Sequence, residues 1–197
     1  MNTSLIVTLV VAGVIVLAVI SMYNTLVTLR NGAKTAWSKI DVRLQQRYDL
    51  IPNLVNIAKK YMQHERETLE AVISARNAAY TACRNTGGDP TNKEAMGELM
   101  QAEGGLGGVL GRLLAVSESY PDLKANQEML QLMGSLSDME TTIARARETY
   151  NNEAMQYNIK RETFPSSIVA GMFHFEEAKL FQVGNAEVRK APKVSFD

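Results

Sequence analysis

The stretch QQRYDLIPNLVNIAKKYMQHERETLE, Gln45–Glu70, decides how the chain folds, because it sets a proline inside a helical pattern. Pro52 has no amide hydrogen, and its ring would clash with the Tyr48 carbonyl in a continuous helix. With Asp49 as N-cap, Pro52 would fall in the first turn of a new helix, where the missing donor is not needed. The spacing therefore favours a break or reversal at Tyr48–Ile51 and a second helix over residues 50–84, with a kinked continuous helix as the alternative.

Upstream, Leu26, Leu29, Ala33, Trp37, Ile40 and Leu44 share one narrow sector of a helix at three- and four-residue spacings. No charged side chain occurs from Met1 to Leu29, and Leu5–Tyr23 is almost wholly apolar. That run approaches the ~20 residues that cross a bilayer as a helix. A cleaved signal peptide is the competing reading, but no Lys or Arg precedes the run. The expectation is a retained membrane anchor over residues 1–24 whose helix continues straight into the rest of the chain. Arg30, Lys34, Lys39 and Arg43 all follow the apolar run. The positive-inside rule then puts the N-terminus outside and the bulk of the chain in the cytoplasm. Arg30 and Lys34 are expected to meet anionic headgroups, and Lys39, Arg43 and Arg47 to form a solvated face.

Downstream, Glu65 and Arg76 fall within the apolar stripe of the expected second helix. Unpaired buried charge is costly, so a cross-helix polar network of Glu65, Arg76, Glu140 and Arg147 is expected. NTGGDPTN, residues 85–92, is a loop by composition. A third helix over residues 93–119 carries Gly104, Gly105, Gly107, Gly108 and Gly111, where a break or a close helix crossing is expected. After a turn at SYPDLKAN, the residues Met129, Leu132, Leu136, Met139, Ile143, Ala146, Tyr150, Ala154 and Tyr157 form a seam of heptad character. The fold class is all-α: an antiparallel four-helix bundle over residues 25–162.

Beyond residue 162 the composition changes, and all five phenylalanines, Phe164, Phe173, Phe175, Phe181 and Phe196, lie there. This apolar tail, residues 163–197, is expected to dock on the bundle, with the membrane interface as the alternative, and is a candidate interaction segment.

Little in the chain points to chemistry. Lys plus Arg equal Asp plus Glu at 21 each, so no global field attracts nucleic acid. The two histidines, His64 and His174, are preceded three residues back by Tyr61 and Gly171, so the Glu-x-x-His pairs of a di-iron bundle are absent. HERE, residues 64–67, lacks the second histidine of a zinc-protease helix. The glycine run has no following Lys-Ser or Lys-Thr, and no Gly-x-Ser-x-Gly elbow occurs. Cys83, the one cysteine, reads as a small buried residue. No catalytic residue, metal or cofactor is expected.

The segments YNTLVTLRNGAKTAWSKIDVRLQQRYDLIPNLVNIAKKYMQHERETLEAVISARNAA, LGRLLAVSESYPDLKAN, IARARETYNNEAMQYN and FPSSIVAGMFHFEEAKLFQ resemble the LemA family of bacterial membrane-anchored proteins. The resemblance implies an N-terminal membrane helix and an antiparallel helical bundle, and it implies little about biochemistry, because the family has no established catalytic activity or ligand. A magnetosome protein similar to the family is associated with internal membrane formation. The expected function is a non-enzymatic, self-associating scaffold that meets the lipid bilayer and serves membrane organisation. An accessory subunit regulating a membrane protease or sensor, through an unidentified membrane protein partner, is the alternative.

Overall fold

The computed structural model describes residues 3–182, and among them the chain is all-α with no strand. Helix α1 runs unbroken over Thr3–Tyr61, 59 residues, or about 90 Å at ~1.5 Å per residue. Its outer third is bare, with Leu9 and Leu17 exposed at 62% and 69%. Its inner part contributes Leu26, Ala33, Trp37, Ile40, Leu44, Ile51 and Leu54 to the core. The chain turns at residues 62–65 and returns as α2, Arg66–Asn85, which crosses a short loop into α3, Lys93–Ser117. A single turn, α4, Pro121–Lys124, leads to α5, Gln127–Glu162, and then α6, Ser166–Met172.

Partners across the bundle fix the directions. Asp41 meets Cys83 and Tyr48 meets Arg76, so α2 is antiparallel to α1. Trp37 packs on Tyr150 and Tyr61 meets Asn126, so α5 is antiparallel to α1 as well. Asn92 and Asn126 cap α3 and α5, each accepting from the backbone amide three residues on. The seam places Met129, Ile143, Tyr150, Ala154 and Tyr157 in the core.

Two expectations about helix breaks are corrected. There is no reversal at Tyr48–Ile51: Pro52 lies inside α1, and the turn comes ten residues later, so α2 begins at Arg66 rather than near residue 50. The reason is a substitute donor. The Tyr48 carbonyl that Pro52 leaves unbonded accepts from Arg76 Nε of α2 at 2.9 Å. The glycines of α3 produce neither a break nor a close crossing. They lie on the exposed face, where added Cβ atoms at Gly104, Gly105, Gly107, Gly108 and Gly111 would meet nothing within 4 Å. The buried side of α3, with Met96, Leu99, Leu106 and Leu113, holds the helix together there.

Candidate functional site

Three clusters of polar side chains are built into the bundle. The first lies at its centre, where α1 brings Arg47 and Tyr48 opposite Glu103 of α3 and Glu140 of α5. Arg47 donates from Nη2 to Glu103 and from Nη1 to Glu140, and Tyr48 Oη donates to the second Glu103 oxygen at 2.5 Å. The Arg47 and Glu103 side chains are 4% and 1% exposed, so this pair is sealed from solvent. Burial works against the Arg47 charge, but the Glu103 and Glu140 carboxylates outweigh it and hold the guanidinium above its ordinary pKa. Arg147 of α5 stands beside them with its guanidinium 5.1 Å from the Phe181 ring centre, and burial lowers its pKa. Two guanidiniums thus face two carboxylates across three helices.

The residues flanking this cluster are chemically quiet. Burial, reinforced by Glu103, pushes the Tyr48 phenol far up, so it remains a hydrogen-bond donor. Burial also raises the Cys83 thiol, which donates to Asp41 at 3.0 Å. A thiol held protonated is a poor nucleophile.

The second cluster surrounds Pro52. Besides the bond to Tyr48, Arg76 lies 3.6 Å from Asp49 and 5.0 Å from the centre of the Tyr80 ring. Its role is to complete a helix rather than to reach the fourth helix. Glu65 sits apart at the α1–α2 turn and accepts from Tyr120 Oη at 3.3 Å. Of the four residues expected to meet, Glu140 and Arg147 therefore belong to the central cluster, and Glu65 and Arg76 do not. Arg47, read from its spacing as solvated, is instead the hub, because α3 and α5 close over it.

The third cluster is a clasp on the tail. Asn158 donates to the Ala178 carbonyl at 2.8 Å and accepts from the Ala178 amide at 3.0 Å. Asn151 does the same for Phe181, at 3.2 and 2.8 Å. Each is preceded by a tyrosine that donates to the same strip: Tyr157 to the Glu176 carbonyl at 2.6 Å and Tyr150 to the Lys179 carbonyl at 2.5 Å. The repeat matches by arithmetic. Seven helical residues rise about 10.5 Å, and three extended residues span about 10 Å. Phe181 then stacks edge-on against Trp37 at 5.3 Å. The sequence signal was the repeated Tyr-Asn in TYNNEAMQYN.

The basic and aromatic residues are divided accordingly. Phe175 and Phe181 are core, whereas Phe164 and Phe173 are 77% and 50% exposed, and Phe196 lies outside the described residues. Arg30 lies 5.1 Å from the Phe175 ring centre. Lys34 donates to Asp89 at 2.9 Å, tying α1 to the α2–α3 loop. Beside this loop an open groove of about 1030 Å³ is lined by Asp89, Lys93, Arg161, His174, Glu176 and Glu177. Its signs are mixed, and Lys93 is already paired with Glu177 at 2.7 Å. Among the described residues no three His, Cys, Asp or Glu side chains come together as a metal site.

Similarity to known proteins runs through these elements. The chain is 31% identical over 179 residues to Magnetosome protein MamQ 2 of Paramagnetospirillum magneticum, covering 81% of this chain and 64% of that protein. Identity to Magnetosome protein MamQ of Magnetospirillum gryphiswaldense is 28% over 177 residues, with coverage of 81% and 64%. Protein LemA of Metamycoplasma hominis is 25% identical over 175 residues, covering 89% of this chain and 75% of that one. The chain thus spans 64% of the length of the magnetosome relatives. The LemA family profile matches residues 36–196, which takes in the inner part of α1, the central cluster and the tail clasp, and the chain belongs to the LemA family.

Proposed function

We propose that this protein is a membrane-anchored, non-enzymatic scaffold that self-associates and organises the bacterial inner membrane, with the bundle on the cytoplasmic side. One observation carries the reading. The helix with the exposed apolar run at its N-terminal end is the same helix, α1, that forms the spine of the bundle. A rigid rod of this kind transmits the position and tilt of the anchor to every bundle surface, as an organiser of membrane requires and a catalyst does not. The buried polar groups also support it, since they bond one another rather than converge on a cleft. The similarity to proteins named as magnetosome proteins is consistent with a membrane role.

Light scattering and particle imaging of the full-length protein in detergent test the reading. A closed assembly of several copies is the expected result. A monomer that also captures no partner from solubilised membranes overturns it. The adaptor reading, with the phenylalanine-rich tail as its contact, has less to stand on, because Phe175 and Phe181 are committed to the core.

A further inference from the structure

We infer that α6 and its flanking phenylalanines form a second membrane contact, lying in the interfacial layer of the bilayer beside the point where α1 leaves it. The inference rests on the anchor reading above.

Ser166, Val169 and Ala170 turn one face of α6 into the core, and α6 packs on α1 and α5. The other face is apolar and bare. Ile168 and Met172 are 57% and 65% exposed, one turn apart on the same side, with Phe164 and Phe173 exposed at the two ends. Four large apolar side chains on so short a segment need cover, and in water they form the kind of patch that marks a contact surface.

What covers them follows from depth. The apolar run Leu5–Tyr23 spans about 28 Å as a helix, close to the ~30 Å hydrocarbon core. Tyr23 therefore stands at the boundary, the level at which tyrosine and tryptophan rings concentrate. The Phe173 ring packs edge-on against Tyr23 with centres 4.8 Å apart. This contact fixes the end of α6 at the same depth as the end of the span. Lys160, in the last turn of α5 just before this segment, supplies a cation for anionic headgroups, whereas Arg161 beside it is paired with Glu162 at 2.6 Å. The patch is thus continuous with the membrane-facing surface of α1, and the bilayer is its occupant.

The test uses the full-length chain in nanodiscs of phosphatidylcholine and phosphatidylglycerol, with and without bromine on the acyl chains near the carbonyl. Trp37, the one tryptophan, is buried and supplies a constant background. Tryptophan is introduced separately by Ile168→Trp, Met172→Trp, Leu9→Trp and Leu130→Trp. Leu130 is 52% exposed near the start of α5, at the far end of the bundle. The expected result is loss of fluorescence in brominated lipid at positions 168, 172 and 9, and none at 130. Quenching at 9 with none at 168 or 172 overturns the α6 contact and leaves the anchor standing. No quenching at 9 overturns the anchor reading itself. Equal quenching at 130 and 168 also overturns the inference, because it shows that lipid reaches the bundle without regard to this face.

Discussion

Arg76 on α2 donates through Nε to the main-chain carbonyl of Tyr48 on α1, the acceptor that Pro52 leaves without its helical partner. One side chain thereby keeps a 59-residue helix continuous through a proline. The two positions should be coupled. Arg76→Met is expected to cost about 1–3 kcal/mol in unfolding free energy, the usual penalty for stranding a half-buried acceptor. In a Pro52→Ala background the backbone regains an amide hydrogen at that position and can supply the bond, so the same change should cost clearly less. Equal costs in the two backgrounds, measured by denaturant unfolding in detergent, would show that the bond does not sustain the helix.

The Arg47–Glu103 pair is sealed inside the bundle, and removing Glu103 leaves the buried guanidinium with Glu140 as its remaining carboxylate partner. Glu103→Ala should destabilise by about 1.5–3 kcal/mol, the range for losing a hydrogen bond to a charged group. Replacing both residues, by Arg47→Met with Glu103→Leu, should cost less than the sum of the two single changes, although Tyr48 Oη and Glu140 then lose a partner. Thermal melts of helicity for the four proteins provide the cycle, and strict additivity is the contrary result.

Asn151 and Asn158 hold the extended tail at four backbone groups. The double change to Ala should free residues 175–181 while leaving α1 to α5 helical. Hydrogen exchange at the Ala178 and Phe181 amides should accelerate, and the emission of Trp37, which Phe181 covers, should move to longer wavelength. Unchanged protection at both amides would assign the docking to the buried phenylalanines alone.

Cys83 is buried, bonded to Asp41, and raised in pKa by burial first and by the carboxylate second. It should therefore resist maleimide at pH 8 in the native protein and react readily once unfolded. Asp41→Asn removes the charge but not the burial, and only a modest gain in reactivity is expected. Rapid native labelling would contradict the packing around it.

Lys34–Asp89 is a partly exposed tie worth less than about 1 kcal/mol, but it has a defined pH dependence. Burial raises the Asp89 pKa, and the bonds from Lys34 and Thr91 overcome that and bring it below its ordinary value. Its stabilisation is fully present above the unfolded aspartate pKa of about 3.9, and is lost as pH falls through the lower native value. The acid limb of the stability profile should flatten in Asp89→Asn. An unaltered limb would assign acid unfolding to other carboxylates.

Much of this architecture is legible in residue order. Apolar positions from Leu26 to Leu44 and from Met129 to Tyr157 recur at three- and four-residue intervals, and that periodicity alone dictates helices with one buried stripe. The bare run Leu5–Tyr23 is equally plain, because uncharged length is a local property. The connections at residues 86–92, 118–120 and 125–126, the last two flanking α4, follow from Gly, Pro and Asn chemistry.

Tertiary structure alone decided the rest, and the reason in each case is a partner distant in the chain. Pro52 reads as a break because nothing near it in sequence can replace its missing donor, and the donor comes from position 76. Arg47 reads as surface because its spacing matches Lys39 and Arg43, yet α3 and α5 close over that one position and supply carboxylates. The tail reads as apolar and in need of cover, but which phenylalanines are covered depends on the match between two turns of α5 and three residues of extended chain. Periodicity specifies which side chains share a face of one helix. It carries no information about which polar group of another helix arrives opposite a given carbonyl or charge, and in this protein those arrivals determine where the chain turns and which residues become its buried polar centre.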